Sequence, residues 1–452
     1  MIRSMKKMRA LCLLVALMLL FAGCESLQVV PEESPTESSK EPIKGSAEGS
    51  LSMPEEGSSS NSEHSEPLFP SFGEESSPSK EDSSPSPLPS DPVTPTPSEE
   101  PKPKEKRLSF LAAGDNLIHE AVFLDALRLG GGEKYAFESM YNGVSSLIAG
   151  SDLAFVNHEC PIAGDEYGIL GWPQFNSPVS AGSALKKVGF DIVNVANNHI
   201  LDMDNKCAGY KNTVKNLQDT GMLVIGGYTA ADYDNLRILE QNGIKVAFLS
   251  YMDVPTNNVT INPSTPEMIL PVATEASIKR QTALARAAAD FVVVSIHWGT
   301  ENSMYVNDDQ VRLAKLMNSC GVDVILGHHS HTIQKVEWIE SQAGKTLCYY
   351  SLGNLLSTQH PIKNLIGIFA SFELVIDENG NKSVENAAAI PHMTWYSTKR
   401  DALQIYRFKD VTEALVKDHG SQLRTGENGG TFTLADLKTH VEKQVPADFL
   451  KY

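Results

Sequence analysis

Cysteine is scarce in this chain of 452 residues, with six in all and only four beyond residue 24. Those four, Cys160, Cys207, Cys320 and Cys348, are widely spaced and include no C-x-x-C pair. They leave three possible disulfide pairings or four free thiols, in structural roles either way. Beyond the first two dozen residues no long apolar run occurs, which excludes a second transmembrane segment. No basic patch is present, which argues against nucleic acid as a partner, and no internal repeat is seen. Aromatic and branched apolar residues nearly vanish between residues 25 and 107, where Ser, Pro and Glu dominate. Such a segment cannot bury enough surface to offset its ordering entropy, so a disordered linker is expected over 25–107.

What is present begins with Arg3, Lys6, Lys7 and Arg9, an apolar run from Ala10 to Ala22, and Gly23-Cys24. A basic start, a short apolar stretch and a small residue before cysteine read as a lipoprotein signal peptide over 1–24, and Phe21-Ala22-Gly23-Cys24 resembles a bacterial lipobox. On this reading Cys24 is acylated and the protein is anchored by lipid to the extracellular face of the cell membrane. An ordinary cleaved signal or a single N-terminal anchor is the alternative. The formal net charge is −18, and the linker carries 18 acidic against 7 basic residues. The acidity is therefore mainly that of a solvated spacer, whose reach as a flexible coil is about 50 Å.

After residue 108 the composition becomes that of a packed core. Strands are expected at Met222–Ile225, Lys245–Tyr251, Leu347–Ser351 and Gly367–Leu374, and helices at Ala136–Ala149, Ala181–Val188, Tyr210–Thr220, Glu275–Ala289 and Asp308–Ser319. This alternation predicts a layered α/β protein with largely parallel connections. The less regular segment from Asn379 to Tyr452 is expected to pack on a sheet edge or to form a small appended subdomain.

The most informative stretch is Val324-Ile325-Leu326-Gly327-His328-His329-Ser330-His331, an apolar strand emptying into three histidines. Neutral imidazoles at a strand end can share a cation, and the pair His329 and His331 can direct two side chains to one ion or one to each of two. Four other apolar runs end in the same manner. Residues 108–113 lead to Gly114-Asp115-Asn116, 153–156 to Asn157-His158-Glu159, 191–196 to Asn197-Asn198-His199, and 291–296 to His297-Trp298-Gly299. Five such endings in one domain imply that several strand ends converge on a single polar site.

The ordered set Gly114-Asp115, Asn157-x-Glu159, Asn197-Asn198-His199, His297-Trp298-Gly299-x-Glu301, Gly327 to His331 and Ser351-Leu352-Gly353-Asn354 resembles the CapA/PgsA family of capsule and poly-γ-glutamate synthesis proteins. The resemblance covers roughly residues 108–395. It implies a sandwich of the calcineurin-like metallophosphoesterase type; residues 396–452, which play no part in the resemblance, are expected as a C-terminal extension packing on the domain. Asp115 and Glu159 are hard oxygen donors suited to Mn²⁺, Fe or Zn²⁺, and one of them could bridge two ions. Asn198 could ligate through its amide oxygen, with His199 beside it as a general acid. His297, His329 and His331 would supply the nitrogens of a site holding one or two divalent transition-metal ions. His328, Glu301, Asn157, Trp298 and Asn354 are assigned to the surroundings of the ligands or to substrate, with Trp298 either a platform or core. His119 is expected on a first helical turn, and alternation turns His158 to the face opposite Asn157 and Glu159. Calcineurin-like enzymes open with Asp-x-His and carry a Gly-Asp-x-x-Asp motif. Here Asp115 has no histidine two residues on, and Asn157-x-Glu159 stands where the bridging Asp is expected.

The leading expectation is a lipid-anchored extracellular protein acting in synthesis, release or anchoring of an anionic capsule polymer such as poly-γ-glutamate, through a metal-dependent hydrolase-like site. Its partners would be the polymer or its membrane synthase. The alternatives are a non-catalytic accessory or polymer-binding subunit of a capsule synthase, and a cell-surface metallophosphatase unrelated to capsule.

Overall fold

Alternation of apolar residues with a period of two sets the architecture, which a computed structural model describes over residues 104–203, 207–257, 264–423 and 431–452. The expected signal peptide, Cys24 and the linker as far as residue 103 lie outside the described residues. Strand β1 (Lys106–Asn116) begins two residues before the expected boundary. After it come β2 (Leu153–His158), β3 (Ile192–Asn194) and β4 (Leu223–Ile225), which lie side by side in parallel as one half of a sheet. Helices Glu120–Leu129, Asn142–Ala149, Val179–Val188 and Ala208–Gln218 make the crossovers, as parallel neighbours require.

A second sheet has the order β11-β12-β10-β9-β6-β5. It is formed by β5 (Arg237–Gln241), β6 (Ile244–Met252), β9 (Phe291–His297), β10 (Val324–His328), β11 (Val336–Ser341) and β12 (Gly344–Tyr349), while β7 (Ser264–Thr265) and β8 (Met268–Ile269) form a small ribbon. Strands β6, β9, β10 and β12 are mutually parallel, and β5 and β11 close the edges antiparallel. The chain then returns to the first sheet. There β13 (Asn354–Leu356) pairs in parallel with the end of β1, and β14 (Ile366–Ile376), β15 (Lys382–Trp395) and β16 (Gln404–Arg407) extend the sheet antiparallel on the other side of β1.

The two sheets face each other. Val246 and Phe248 of β6 belong to the core between them, where Phe248 stacks on Phe110 of β1 with ring centroids 6.0 Å apart. Ala247, Leu249 and Tyr251 point the other way, into a second core under helices Glu275–Ala288 and Asp308–Ser319. Both helices start at capping boxes, Thr274 with Ser277 and Asn307 with Gln310. The layered α/β sandwich is thus as expected, although the antiparallel half β14–β16 makes the sheets mixed rather than largely parallel.

One local expectation needs correction, and two open alternatives are decided. The helix expected over 136–149 is a 3₁₀ turn, Glu138–Tyr141, and then the helix Asn142–Ala149. The segment after Asn379 takes the first of its two expected arrangements, at the edge of the first sheet, and is not an appended subdomain. Its first part is the 14-residue strand β15, paired on both sides, and Lys451 N–H donates to the Ala389 carbonyl at 3.0 Å, which ties the C-terminus to that strand. Cys160, Cys207, Cys320 and Cys348 are all free thiols, so none of the three pairings forms.

Candidate metal centre

The carboxyl ends of β1, β2, β9 and β10 meet at one end of the seam between the sheets. Strict alternation from Phe110, which faces the seam, would send Asp115 to the other side. The pairing of β1 with β2 slips between Ala113 and Asp115, and this bulge at Gly114 reverses the parity and turns Asp115 inward. Gly114 is required for a second reason, since a Cβ there would stand 1.9 Å from the Gly353 carbonyl oxygen, which accepts from Asp115 N–H at 2.9 Å. Gly327 plays the same part before the histidines, where a Cβ would stand 1.9 Å from the Tyr350 carbonyl oxygen.

On β2, residues two apart share a face. Asn157 Nδ2 donates to Asp115 Oδ1 at 2.8 Å and reaches Glu159 Oε2 at 3.4 Å. His158 points away as expected, with Nδ1 3.0 Å from Asn116 Nδ2, while Asn116 Oδ1 accepts from Tyr141 Oη. Across the seam His297 Nε2 lies 2.9 Å from Asn198 Oδ1, 3.1 Å from His329 Nδ1 and 3.5 Å from Glu159 Oε1. His331 Nδ1 lies 3.0 Å from Asp115 Oδ2, and its Nε2 lies 3.6 Å from Glu159 Oε1. All six expected ligands therefore come together. Among the described residues two groups have donor atoms within 4.8 Å of one another, Glu159 with His297 and His329, and Asp115 with Glu159 and His331. Glu159 is common to both.

This donor set is compatible with divalent metal. Glu159 Oε1 and His297 Nδ1 are buried without hydrogen-bond partners, as are both ring nitrogens of His328, whose Nδ1 lies 3.4 Å from Asp115 Oδ1. A buried acceptor without a donor is costly, and at Glu159 Oε1, which His297 Nε2 and His331 Nε2 approach, a cation would satisfy it. Burial, then the neighbouring His329, holds His297 well below the usual imidazole range, and burial together with His331 brings His329 down to about 4. Both are therefore neutral and have a lone pair to offer at neutral pH. Burial pushes the Asp115 carboxyl up, but the neighbouring His328 and His331 rings outweigh it and hold the group well below the usual carboxylate range. Burial and then the charge of Asp115 push Glu159 well above that range. The backbone is strained here too, with φ of 92° at His329 and 55° at His331, values in the left-handed region that cost a non-glycine residue on the order of 1–3 kcal/mol each.

Around these ligands the structure adds residues that no motif in the sequence singles out. Asn194 Nδ2 donates to Asn157 Oδ1 at 2.8 Å, and Ser250 Oγ of the second sheet donates to Asn194 Oδ1 at 2.6 Å. This chain of bonds fixes the Asn157 amide so that it can donate to Asp115. His199 Nδ1 lies 2.7 Å from Asp202 Oδ2 and 3.0 Å from Asn257 Nδ2, and its ring meets Phe175 edge-on at 4.7 Å. For Asp202 the three-residue spacing from His199 is the available signal.

Two expected roles do not survive. Trp298 is fully buried in the second core, stacks on Tyr350 and donates Nε1–H to its carbonyl at 2.8 Å, so it has no face to offer a substrate. The residue after His297 must point away from the seam by the same alternation that turns His158 outward. Glu301 is exposed and its Oε1 accepts from Asn302 Nδ2 at 3.3 Å, so it does not hold an imidazole in place. Asn354 is buried beside Asp115 and donates to Gln359 Oε1 and to the Asn364 carbonyl at 2.9 and 3.0 Å, which braces the loop after Gly353. His119 is at the N-cap of helix Glu120–Leu129 and belongs to neither ligand group.

The sequence model of the family described as bacterial capsule synthesis protein PGA_cap matches residues 109–359. A PGA biosynthesis protein CapA of Bacillus subtilis (strain 168) is 26% identical over 313 residues, covering 67% of this chain and 77% of the relative. A capsule biosynthesis protein CapA of Bacillus anthracis is 29% identical over 233 residues, covering 50% of this chain and 55% of the relative. Among solved structures, the NAD nucleotidase of Haemophilus influenzae aligns at 14% identity with a TM-score of 0.40, over 77% of this chain and 64% of that one. The calcineurin-like phosphoesterase YfkN of Bacillus subtilis aligns at 13% identity with a TM-score of 0.34, over 62% of this chain and 91% of that one. Overlaps this partial carry no conclusion about chemistry.

Proposed function

From the premise that this chain belongs to the bacterial capsule synthesis family PGA_cap, we propose that it acts at the cell envelope on an anionic capsule polymer such as poly-γ-glutamate, through a metal-dependent hydrolase-like site. The observation that carries the chemistry is the sharing of Glu159 by two groups of buried donors. Asp115, Glu159, His331, His297, His329 and Asn198 would hold one or two divalent ions. When bound, these supply Lewis acidity toward an amide, ester or phosphoryl oxygen. The chain's own residues do the rest. Asn157 donates to Asp115 and keeps its second carboxylate oxygen turned to His331. Asp202 fixes the His199 ring through Nδ1, leaving Nε2 to exchange a proton with a leaving group. The ligands are buried at the seam between the sheets.

Attachment by an acylated Cys24, with the acidic segment 25–107 as a spacer, is part of the same proposal and places the site outside the membrane. The partners would be the polymer or its membrane synthase. Among the described residues no helix is long and apolar enough to cross a membrane. The decisive experiment is metal analysis of the purified full chain beside a His329→Ala/His331→Ala variant, with melting recorded with and without chelator. One or two transition-metal ions in the wild type, lost in the variant, are expected. A wild type that stays metal-free after Mn²⁺ or Zn²⁺ is supplied sinks the hydrolase reading and leaves an accessory, polymer-binding subunit.

A further inference from the structure

A cavity of about 830 Å³ has in its wall Asn302, a residue hydrogen-bonded to the loop between His329 and His331. Its wall is tied to the histidine loop. Asn302, in the lining, donates its N–H to the Ser330 carbonyl at 2.9 Å, and Asn364 Nδ2 bridges Asn302 Oδ1 and the His331 carbonyl at 2.8 and 3.1 Å. His119, at the N-cap of helix Glu120–Leu129, also lines the cavity. A ligand seated there would touch Asn302, one hydrogen bond from the loop that carries His329 and His331.

The chemistry of the wall is specific. Arg128, Lys363, Lys399 and Arg400 line it from three separate segments, and Arg128 is engaged by Asp125 at 2.7 Å. Lys363 Nζ is positioned by the Asn302 carbonyl at 2.7 Å, and Arg400 Nη2 by the Thr358 carbonyl and hydroxyl at 2.9 and 2.7 Å. The acids Glu120, Asp125 and Asp401 and the amides Asn302 and Gln359 line the same cavity. Trp172, 75% exposed, and Leu124, 50% exposed, add apolar surface.

Cations brought to one cavity from three separate segments, with acceptors in the same lining, match a ligand whose carboxylates are spaced along a chain of amides and methylenes. A compact phosphate is better held by donors converging on one point, and no glycine-rich cradle lines this cavity. We propose that the cavity binds a segment of acidic polyamide, with carboxylates on Lys363, Lys399 and Arg400 and methylenes on Trp172, and leads it to the metal centre. The nature of the polymer rests on the capsule function proposed for the same site. All three cations come after residue 359, outside the segment that the family model matches.

The test is calorimetric titration of the metal-supplied full chain with a short γ-linked glutamate oligomer and, separately, with inorganic phosphate. The variants are Lys363→Glu/Lys399→Glu and Trp172→Ala. Arg400 is left alone because it braces Thr358. The wild type should bind the oligomer more weakly as salt rises, the charge reversal should weaken binding roughly tenfold or more, and Trp172→Ala severalfold, with melting and metal content held at wild-type values. Undiminished binding by the charge reversal overturns the proposal, as does binding of phosphate with none of the oligomer. Oligomer binding in a protein that holds no metal sinks the hydrolase reading alone. Full metal and turnover with a KM indifferent to the charge reversal sinks this inference alone.

Discussion

Replacing Glu159 by Gln separates a metal site from ordinary polar packing, because the two readings predict opposite signs. Glu159 is fully buried, and its Oε1 stands 3.5 Å from His297 Nε2 and 3.6 Å from His331 Nε2 without a donor. Burial, then Asp115, raises its pKa, so the folded metal-free protein prefers the neutral acid, and a group raised on folding costs stability as pH climbs above its unfolded value. Gln mimics the neutral form and carries no such cost. Metal-free Glu159→Gln should therefore match the wild type in mild acid and melt above it at neutral pH. Metal reverses the order. At an ion concentration about 1,000 times Kd the wild type gains about 4 kcal/mol, on the order of 10 °C in Tm, and the variant, lacking the carboxylate common to both groups, should lose most of that gain. Binding must also expel the Glu159 proton, which calorimetry in buffers of different ionisation enthalpy reads as about one proton released per protein. A variant that melts well below the wild type without metal, or that keeps the full metal-dependent shift, would refute the reasoning.

Three further substitutions probe the frame. Gly327→Ala places a Cβ 1.9 Å from the Tyr350 carbonyl oxygen, so strands β10 and β12 must part, and a loss of about 2–3 kcal/mol should appear in the denaturant midpoint. An unchanged midpoint would show that the close approach is not needed. Asp202→Asn removes the charged partner of His199 Nδ1 and should leave metal content intact while lowering kcat by about 10²-fold or more for whatever the site turns over. An equal kcat would remove His199 as the acid. His392 is buried against Phe369 with neither ring nitrogen hydrogen-bonded, and burial brings its pKa down to about 3. A depressed imidazole contributes stability above its unfolded pKa and loses it as pH falls, by about 2 kcal/mol near pH 5, so His392→Leu should flatten the acid side of the melting profile. A profile parallel to the wild type would count against that assignment.

Convergence of the ligands is legible in the sequence because each apolar run is joined directly to the polar residues at its end. A strand buried on both faces must deliver its next polar residues at the sheet's carboxyl end, which groups Asp115, Glu159, Asn198, His297, His329 and His331 without any distance being known. Facing is less legible. Alternation turns His158 away correctly, and the same rule, applied to the residue after His297, places Trp298 in the core. It fails for Asp115, because the bulge at Gly114 shifts the register by one, and a lone glycine in an apolar run only hints at that. Strand β15 is hard to see because its second half reads weakly. Ala387, Ala388 and Ala389 have low strand preference and Pro391 suggests an edge, yet β14 on one side and the bridge from Ala389 to Leu450 on the other supply what local preference lacks.

The strained histidine loop is held by groups that owe nothing to a metal. Ser330 Oγ donates to the Thr332 carbonyl at 3.0 Å, Asn302 N–H holds the Ser330 carbonyl, and Asn364 Nδ2 holds that of His331. Gln334 Nε2 donates to the carbonyls of Ser303 and Tyr305 at 2.9 and 3.1 Å, while its Oε1 accepts from Gln310 Nε2 at 2.9 Å. Gln310 is also the residue that closes the capping box of helix Asp308–Ser319, so the helix over the second core and the loop over the seam share one fastening. Left-handed conformations at two histidines persist because these bonds leave the loop no cheaper path. An ion entering such a site spends little on ordering its ligands, so the binding free energy goes to affinity rather than to folding. The contrast is with small zinc modules that are unfolded without metal. Here the two cores are complete without it, and chelation should lower the melting temperature of a protein that stays folded.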